Sequence, residues 1–188
     1  MKKVLILLLI LVIGFGSVVF AAAQAEKEDV IKVGFYGPLS GPMSLSGIAS
    51  RQGTELAIKQ LNDAGGVLGK KLVLFPYDDK SSPEQAVKAV TRMIESDKVH
   101  VIVGSLHSGN TLAQGPVGEK AKIPQIAIGT SPTWLEQGFK YHFRCLPNTH
   151  IINVEIARTI DKLGLKKIGG LGRSDEYGKT GIEDVRDQ

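Results

Sequence analysis

Hydroxyl and histidine side chains collect in three short Gly/Ser-rich loops: Ser40 to Ser46, preceded by Gly37-Pro38-Leu39; Ser105-Leu106-His107-Ser108-Gly109; and Gly129-Thr130-Ser131. Each follows a short apolar run that reads as a strand. In a parallel sheet, loops leaving the carboxyl ends of strands gather on one edge, where open α/β domains place their ligands. The second loop also opens a helix, so the set offers hydroxyls, backbone N–H groups and the positive end of a helix dipole. That is the chemistry of a site for a small carboxylate. The same residues also serve as ordinary turn and cap residues, so the loops alone leave both readings open.

Other chemistry is weaker. Gly172 to Thr180 ends in the Gly-Lys-Thr of a phosphate-binding loop, but five residues separate its glycines. A P-loop needs four to curl its N–H groups around a phosphate. Asp175 and Glu176 would also repel a polyphosphate. Gly170-Leu171-Gly172 lacks the third glycine of a dinucleotide fingerprint, which would fall at Asp175. No Gly-x-Ser-x-Gly elbow is present, and His100, His107, His142 and His150 show no metal-ligand spacing. Asp78 and Asp79 are adjacent at a strand end, so their carboxylates should diverge and serve loop hydrogen bonds and caps. Cys145, the single cysteine, reads as a buried, inert thiol. Neither a catalytic centre nor a cofactor is expected.

The elements that must position these loops alternate strand and helix. Strands are expected at 31–36, 71–77, 99–103, 126–128 and 141–146. The strand at 99–103 is expected to be buried on both faces. A helix over 47–62 should stop at Gly65-Gly66. The next begins with Ser82 as N-cap, Pro83 at the first helical position and Gln85 reaching back in a capping box, with Ala86, Val90, Met93 and Ile94 facing the core. A helix over 108–120 should bend at Gly115-Pro116. After Leu146-Pro147-Asn148 comes a helix capped by Asn148 or Thr149 with Ile152, Ile156, Ile160 and Leu163 inward, then a strand at 167–171 and a helix from Gly178. These last elements could extend the first sheet or begin a second lobe. A final helix with no strand after it suggests a chain cut within a domain. The fold class is α/β, a parallel-sheet lobe with helices on both faces.

The first 25 residues carry Lys2 and Lys3, an apolar run from Val4 to Ile13 and a small-residue ending, Ala21-Ala22-Ala23-Gln24-Ala25. They read as a signal peptide cleaved after Ala25, with an uncleaved membrane anchor as the alternative. No cysteine near that point allows lipidation. Removing Lys2 and Lys3 from 23 basic residues leaves 21 against 19 acidic ones, a formal charge of +2. A nucleic-acid partner is not indicated.

In this order and spacing, Gly37-Pro38-Leu39-Ser40-Gly41-Pro42, Leu61-Asn62-Asp63-Ala64-Gly65-Gly66-Val67-Leu68-Gly69, Tyr77-Asp78-Asp79 with Pro83-Glu84-Gln85-Ala86-Val87, Val101-Ile102-Val103-Gly104 and Tyr177-Gly178 carry a resemblance. From Ile31 onward the chain resembles the first half of a branched-chain amino-acid-type periplasmic binding protein, the leucine-binding-protein-like receptor of an ABC importer. The resemblance implies a type I periplasmic binding fold of two lobes closing over the ligand. Residues 26–147 would form lobe one and 148–188 the truncated start of lobe two.

It further implies that Ser108 binds a ligand carboxylate, with Ile128, Gly129 and Thr130 beside it. Tyr177 would close over the ligand from lobe two. The acidic partner of a ligand ammonium lies further along in the family. Ser46 stands where leucine-type receptors carry a tryptophan. Ser81 and His107 replace a disulfide pair, which frees His107 to face the cleft. The implied function is non-enzymatic and periplasmic: binding an amino acid or related small amide for delivery to a membrane permease. A sensor domain of the same fold is the second reading. A nucleotide-using enzyme is the third.

Overall fold

The computed structural model describes residues 30–187. The expected signal peptide, 1–25, lies outside them. Among the described residues no helix is long and apolar enough to cross a membrane.

From Ile31 onward the chain builds a five-stranded parallel sheet. Its strands are β1 (Ile31–Gly37), β2 (Leu72–Asp78), β3 (Val101–Val103), β4 (Gln125–Ala127) and β5 (His142–Arg144), in the order β2-β1-β3-β4-β5. The helices are α1 (Ser44–Asp63), α2 (Pro83–Arg92, prolonged by a π-helical turn, Met93–Asp97), α3 (Ser108–Ala121), α4 (Thr149–Lys162) and α5 (Glu176–Asp187). The crossover through α1 moves one way along the sheet; those through α2 and α3 move the other way. Right-handed crossovers in opposite directions put α1 on one face and the packed pair α2 and α3 on the other.

The core lies under α2 and α3, where Tyr36, Ala86, Ala89, Val90, Met93, Val99 and Ile102 form one buried cluster. Large apolar side chains such as Met93 and Ile102 contribute about 1.5–3 kcal/mol each by leaving water. Gly34 permits the close approach, since a Cβ there would lie 2.7 Å from Met93 Sδ. The stripe expected on α2 is thus realised, with Ile94 packed at its edge. Gly65 and Gly66 take positive φ after α1, and Gly66 N–H donates to Leu61 O at 2.8 Å, as the sequence predicts.

Several expectations are corrected. Pro83 starts α2, but Ser82 makes no side-chain cap; its N–H donates to Asp79 O at 2.8 Å, leaving Gln85 nothing to reach back to. The third strand is only Val101–Val103, with Ile102 buried and its neighbours half-buried. Beyond β3 the α1 face of the sheet is bare: Ile126 and Phe143 are exposed because no described element covers them. Cys145 is exposed, lying just past edge strand β5. Asn148 does cap α4, accepting from Ile151 N–H at 3.1 Å. Yet Ile152, Ile156 and Leu163 are exposed and Ile160 only half-buried, because no sheet lies beneath that helix among the described residues. Residues 167–171 join no ladder and are exposed rather than forming a strand.

Candidate functional site

The three hydroxyl loops leave the carboxyl ends of β1, β3 and β4 on one edge of the parallel sheet. Two adjacent aspartates at the end of β2 fix two of them. Asp78 accepts from Leu39 N–H at 2.9 Å and from Ser40 Oγ at 2.5 Å, which pins the first loop. Partial burial pushes its carboxyl up, but the Ser40 hydroxyl and the Lys80, Leu39 and Ser40 N–H groups together hold it below its ordinary value. Asp79 points the other way, fully buried, and accepts from Ser105 Oγ at 2.8 Å. Ser105 Oγ in turn accepts from His107 N–H at 3.2 Å. The carboxylates diverge, as alternation along a strand requires.

Gly104 opens the second loop at φ 122°, and a Cβ there would lie 2.0 Å from Tyr36 O. His107 is the N-cap of α3 and Ser108 its first residue. The first intrahelical bond runs from Thr111 N–H to His107 O, so the Ser108, Gly109 and Asn110 N–H groups have no partner within the helix. Ser108 Oγ accepts from Ser131 N–H at 3.2 Å, tying the second loop to the third. Gly129 sits against it; a Cβ there would lie 3.1 Å from both Ser108 Cα and Oγ.

The third loop is held from behind. Trp134, fully buried, donates its Nε1–H to Gly129 O at 3.1 Å. Arg144 reaches from β5 to Ser131 O at 3.2 Å with its guanidinium 5.7 Å from the Trp134 ring centre. Thr130 O accepts from Thr149 N–H at 2.9 Å, linking the loop to the start of α4.

A cavity of about 200 Å³ opens between the second and third loops and the turn before α5, and no residue of the first loop lines it. His107, Ser108, Ile128, Thr130 and Tyr177 all line it, together with Leu106, Arg173 and Asp175. Gly129 lies behind Ser108. Ser46 is not in the wall: it is exposed on the first turn of α1. Trp134, Arg144, Arg173 and Asp175 were not anticipated as site residues. A lone tryptophan in a Pro/Gly-containing loop was the one available signal for the first.

The electrostatics are mixed. Arg173 and Asp175 form an ion pair at the cavity mouth. Burial pushes the His107 imidazole below its ordinary range and Arg173 adds to this, whereas Asp79 and Asp175 oppose it.

The Gly-Lys-Thr segment is not a phosphate cradle. Asp175 Oδ1 accepts from Gly178 N–H at 3.1 Å, filling the helix start with a carboxylate, and Thr180 Oγ1 donates to Glu176 O at 2.7 Å. Packing is tight, since a Cβ on Gly178 would lie 2.0 Å from Arg173 O. Among the described residues no group of His, Cys, Asp and Glu could hold a metal ion.

The periplasmic binding protein family profile matches residues 30–188, which include all the described residues. The chain belongs to the periplasmic binding protein family. Proteins of this family bind solutes and are not enzymes, which removes the nucleotide-using reading. The leucine-specific-binding protein of Salmonella typhimurium is 37% identical over 130 residues, covering 69% of this chain and 35% of that protein. An amino acid binding protein of Pseudomonas aeruginosa is 30% identical over 190 residues, covering 94% of this chain and 50% of that protein. The chain thus spans half or less of the length of these relatives.

Among solved structures, the branched-chain amino acid transporter substrate binding protein LivJ of Streptococcus pneumoniae, in complex with isoleucine, superposes with a TM-score of 0.78 at 28% identity. The match covers 85% of this chain and 46% of that one. A solute binding protein of an ABC transporter from Rhodopseudomonas palustris, in complex with 3,4-dihydroxybenzoic acid, gives 0.77 at 26% identity over 85% of this chain and 44% of that one. The fold is that of branched-chain amino-acid-type, type I periplasmic binding proteins.

Proposed function

We propose that this chain is the first lobe, residues 26–147, and the beginning of the second, residues 148–188, of an extracytoplasmic solute receptor exported by its 1–25 signal peptide. The receptor binds an amino acid or a similar small carboxylate or amide and presents it to an ABC permease. One observation carries this reading: Ser108 and Thr130 on one side and Tyr177 on the other line a single cavity at the carboxyl edge of the sheet.

Ser108, Gly129 and Thr130 dock the carboxylate, using the Ser108 hydroxyl and the free N–H groups of the first turn of α3. Tyr177 closes over it. The α5 side contributes contacts that exist fully only in the closed arrangement, so ligand binding shifts an open–closed equilibrium. Isoleucine and 3,4-dihydroxybenzoate, held by the two structural relatives, share a carboxylate, which supports this docking mode. The bare faces at Ile126 and Phe143 and along Ile152 and Ile156 agree with further chain packing there.

A thermal-shift screen of the full-length protein against amino acids, short amides and urea tests the reading. Stabilisation by at least one is expected, and Ser108→Ala should weaken that binding by about 1–3 kcal/mol. No shift with any of them overturns the receptor assignment.

A further inference from the structure

Two residues at the start of α5 meet the second and third hydroxyl loops. Thr180 Oγ1 lies 3.4 Å from Ser131 Oγ, and a Cβ on Gly109 would lie 3.8 Å from Glu176 Cβ. Residues four apart share a helix face, so Glu176 and Thr180 form one edge of α5 set against these loops. Tyr177, between them in sequence, lines the cavity. Ser131 is fully buried; its N–H donates to Ser108 Oγ at 3.2 Å and its carbonyl accepts from Arg144. It thus holds the Ser108 hydroxyl through its main chain and meets α5 through its side chain. Resting on the receptor reading above, we propose that Thr180 is a positioning residue: its hydroxyl seats α5 on Ser131 and so places Tyr177 over a ligand held at Ser108.

This role differs from that of an ordinary helical threonine. Thr180 Oγ1 also lies 2.7 Å from Glu176 O and 3.3 Å from Tyr177 O, the back-bond open to any threonine within a helix. A hydroxyl can accept while it donates, and the Ser131 hydroxyl can rotate toward it, so the back-bond and the Ser131 contact coexist. The back-bond lies within α5 and is the same wherever that helix sits. The Ser131 contact exists only when α5 is seated on the third loop, and a contact present in one arrangement alone shifts the equilibrium toward it. One net hydrogen bond corresponds to about two- to tenfold in that equilibrium. Because seating follows docking at Ser108, the contact slows release of the ligand and leaves its capture unaltered.

Stopped-flow kinetics of the full-length protein test this, with L-isoleucine and with each compound that raises its melting temperature in the screen above as probes. Thr180→Val keeps the side-chain shape and removes the hydroxyl. Its dissociation rate constant should rise by about two- to tenfold while its association rate constant stays the same. Thr180→Ser keeps the hydroxyl and should release the probe like the unmodified protein. Ser131→Ala removes the other half of the contact, so adding Thr180→Val to it should not speed release further. Unchanged release from Thr180→Val overturns the proposal and leaves the receptor reading standing. So does release from Thr180→Ser as fast as from Thr180→Val, or additive effects in the double variant. If Thr180→Val does not fold, Thr180→Ala takes its place under the same criteria. Binding of no probe, together with a flat thermal-shift screen, overturns the receptor reading and the proposal with it.

Discussion

Asp79 accepts the Ser105 hydroxyl at 2.8 Å with both side chains fully buried, and this bond joins the end of β2 to the loop that carries His107 and Ser108. The second Asp79 oxygen accepts from Ser81 N–H at 2.9 Å, so one carboxylate organises two turns. Asp79→Ala strands both donors and should cost about 2–4 kcal/mol of stability. Asp79→Asn should cost less, because the amide oxygen still accepts one bond. Urea denaturation of the two variants checks the order; equal losses would mean that space, rather than hydrogen bonding, matters at this position.

Trp134 holds the back of the third loop through a single hydrogen bond to Gly129 O. Trp134→Phe keeps an aromatic ring beneath Arg144 but deletes the donor and leaves a buried carbonyl unpaired. The expected loss is about 1–3 kcal/mol of stability. Ligand affinity should also fall, because Gly129 and Ser131 both touch Ser108. A variant with unchanged melting temperature and unchanged affinity would show that the loop holds its shape without Trp134.

Much of this arrangement is legible in the residues. The alternation of strands and helices, the α2 stripe and the gathering of hydroxyl loops follow from periodicity and turn chemistry, which act locally. Ser108, Thr130 and Tyr177 were placed by resemblance and line one cavity. Ser46 was placed the same way and lies outside the wall, because side-chain position on α1 depends on how that helix is set against the sheet. Trp134 and Arg144 went unread, since their partners are main-chain oxygens that no spacing rule marks. The inward stripe of α4 and the strand at 167–171 failed for a related reason. An apolar period or a β-rich run needs a second surface to pack or pair with; among the described residues α4 meets α5 through His150 and Asn153, which leaves Ile152 and Ile156 exposed, and residues 167–171 join no ladder.

Two glycines near the site should respond oppositely to alanine. At Gly104 a Cβ would meet Tyr36 O at 2.0 Å, and the residue has φ 122°, so both space and backbone exclude a side chain. Gly104→Ala should cost at least about 3 kcal/mol or abolish soluble expression. Gly109 lies in the first turn of α3, where a Cβ would meet only Glu176 Cβ at 3.8 Å. Gly109→Ala should be neutral or stabilising by up to about 1 kcal/mol through helix propensity. Thermal melts of the pair decide the matter, and a destabilised Gly109→Ala protein would contradict the open space seen there.

Stability should fall in two stages as the solution is acidified. Burial pushes the His107 and His142 imidazoles below the ordinary histidine value of 6.5; nearby carboxylates, Asp79 for the first and Glu119 for the second, oppose the shift without reversing it. The Gln125 amide nitrogen lies 2.9 Å from His142 Nε2, a contact that suits the neutral ring. Below pH 6.5 the unfolded chain takes up protons that the folded chain resists, so stability is complete above that value and declines as pH falls toward the depressed folded values. The carboxylates act lower. Desolvation pushes Asp78 and Glu119 up, but hydrogen bonds to Ser40 and to the Lys140 and Tyr141 N–H groups hold them below their ordinary 3.8 and 4.5. Their contribution is present above those values and is lost as pH drops through the lower folded ones. Melting temperatures measured from pH 8 to pH 3 should therefore show a decline beginning near 6.5 and a steeper one below about 4. His142→Gln should flatten the first stage and leave the second; a first stage unchanged in that variant would remove His142 as its source.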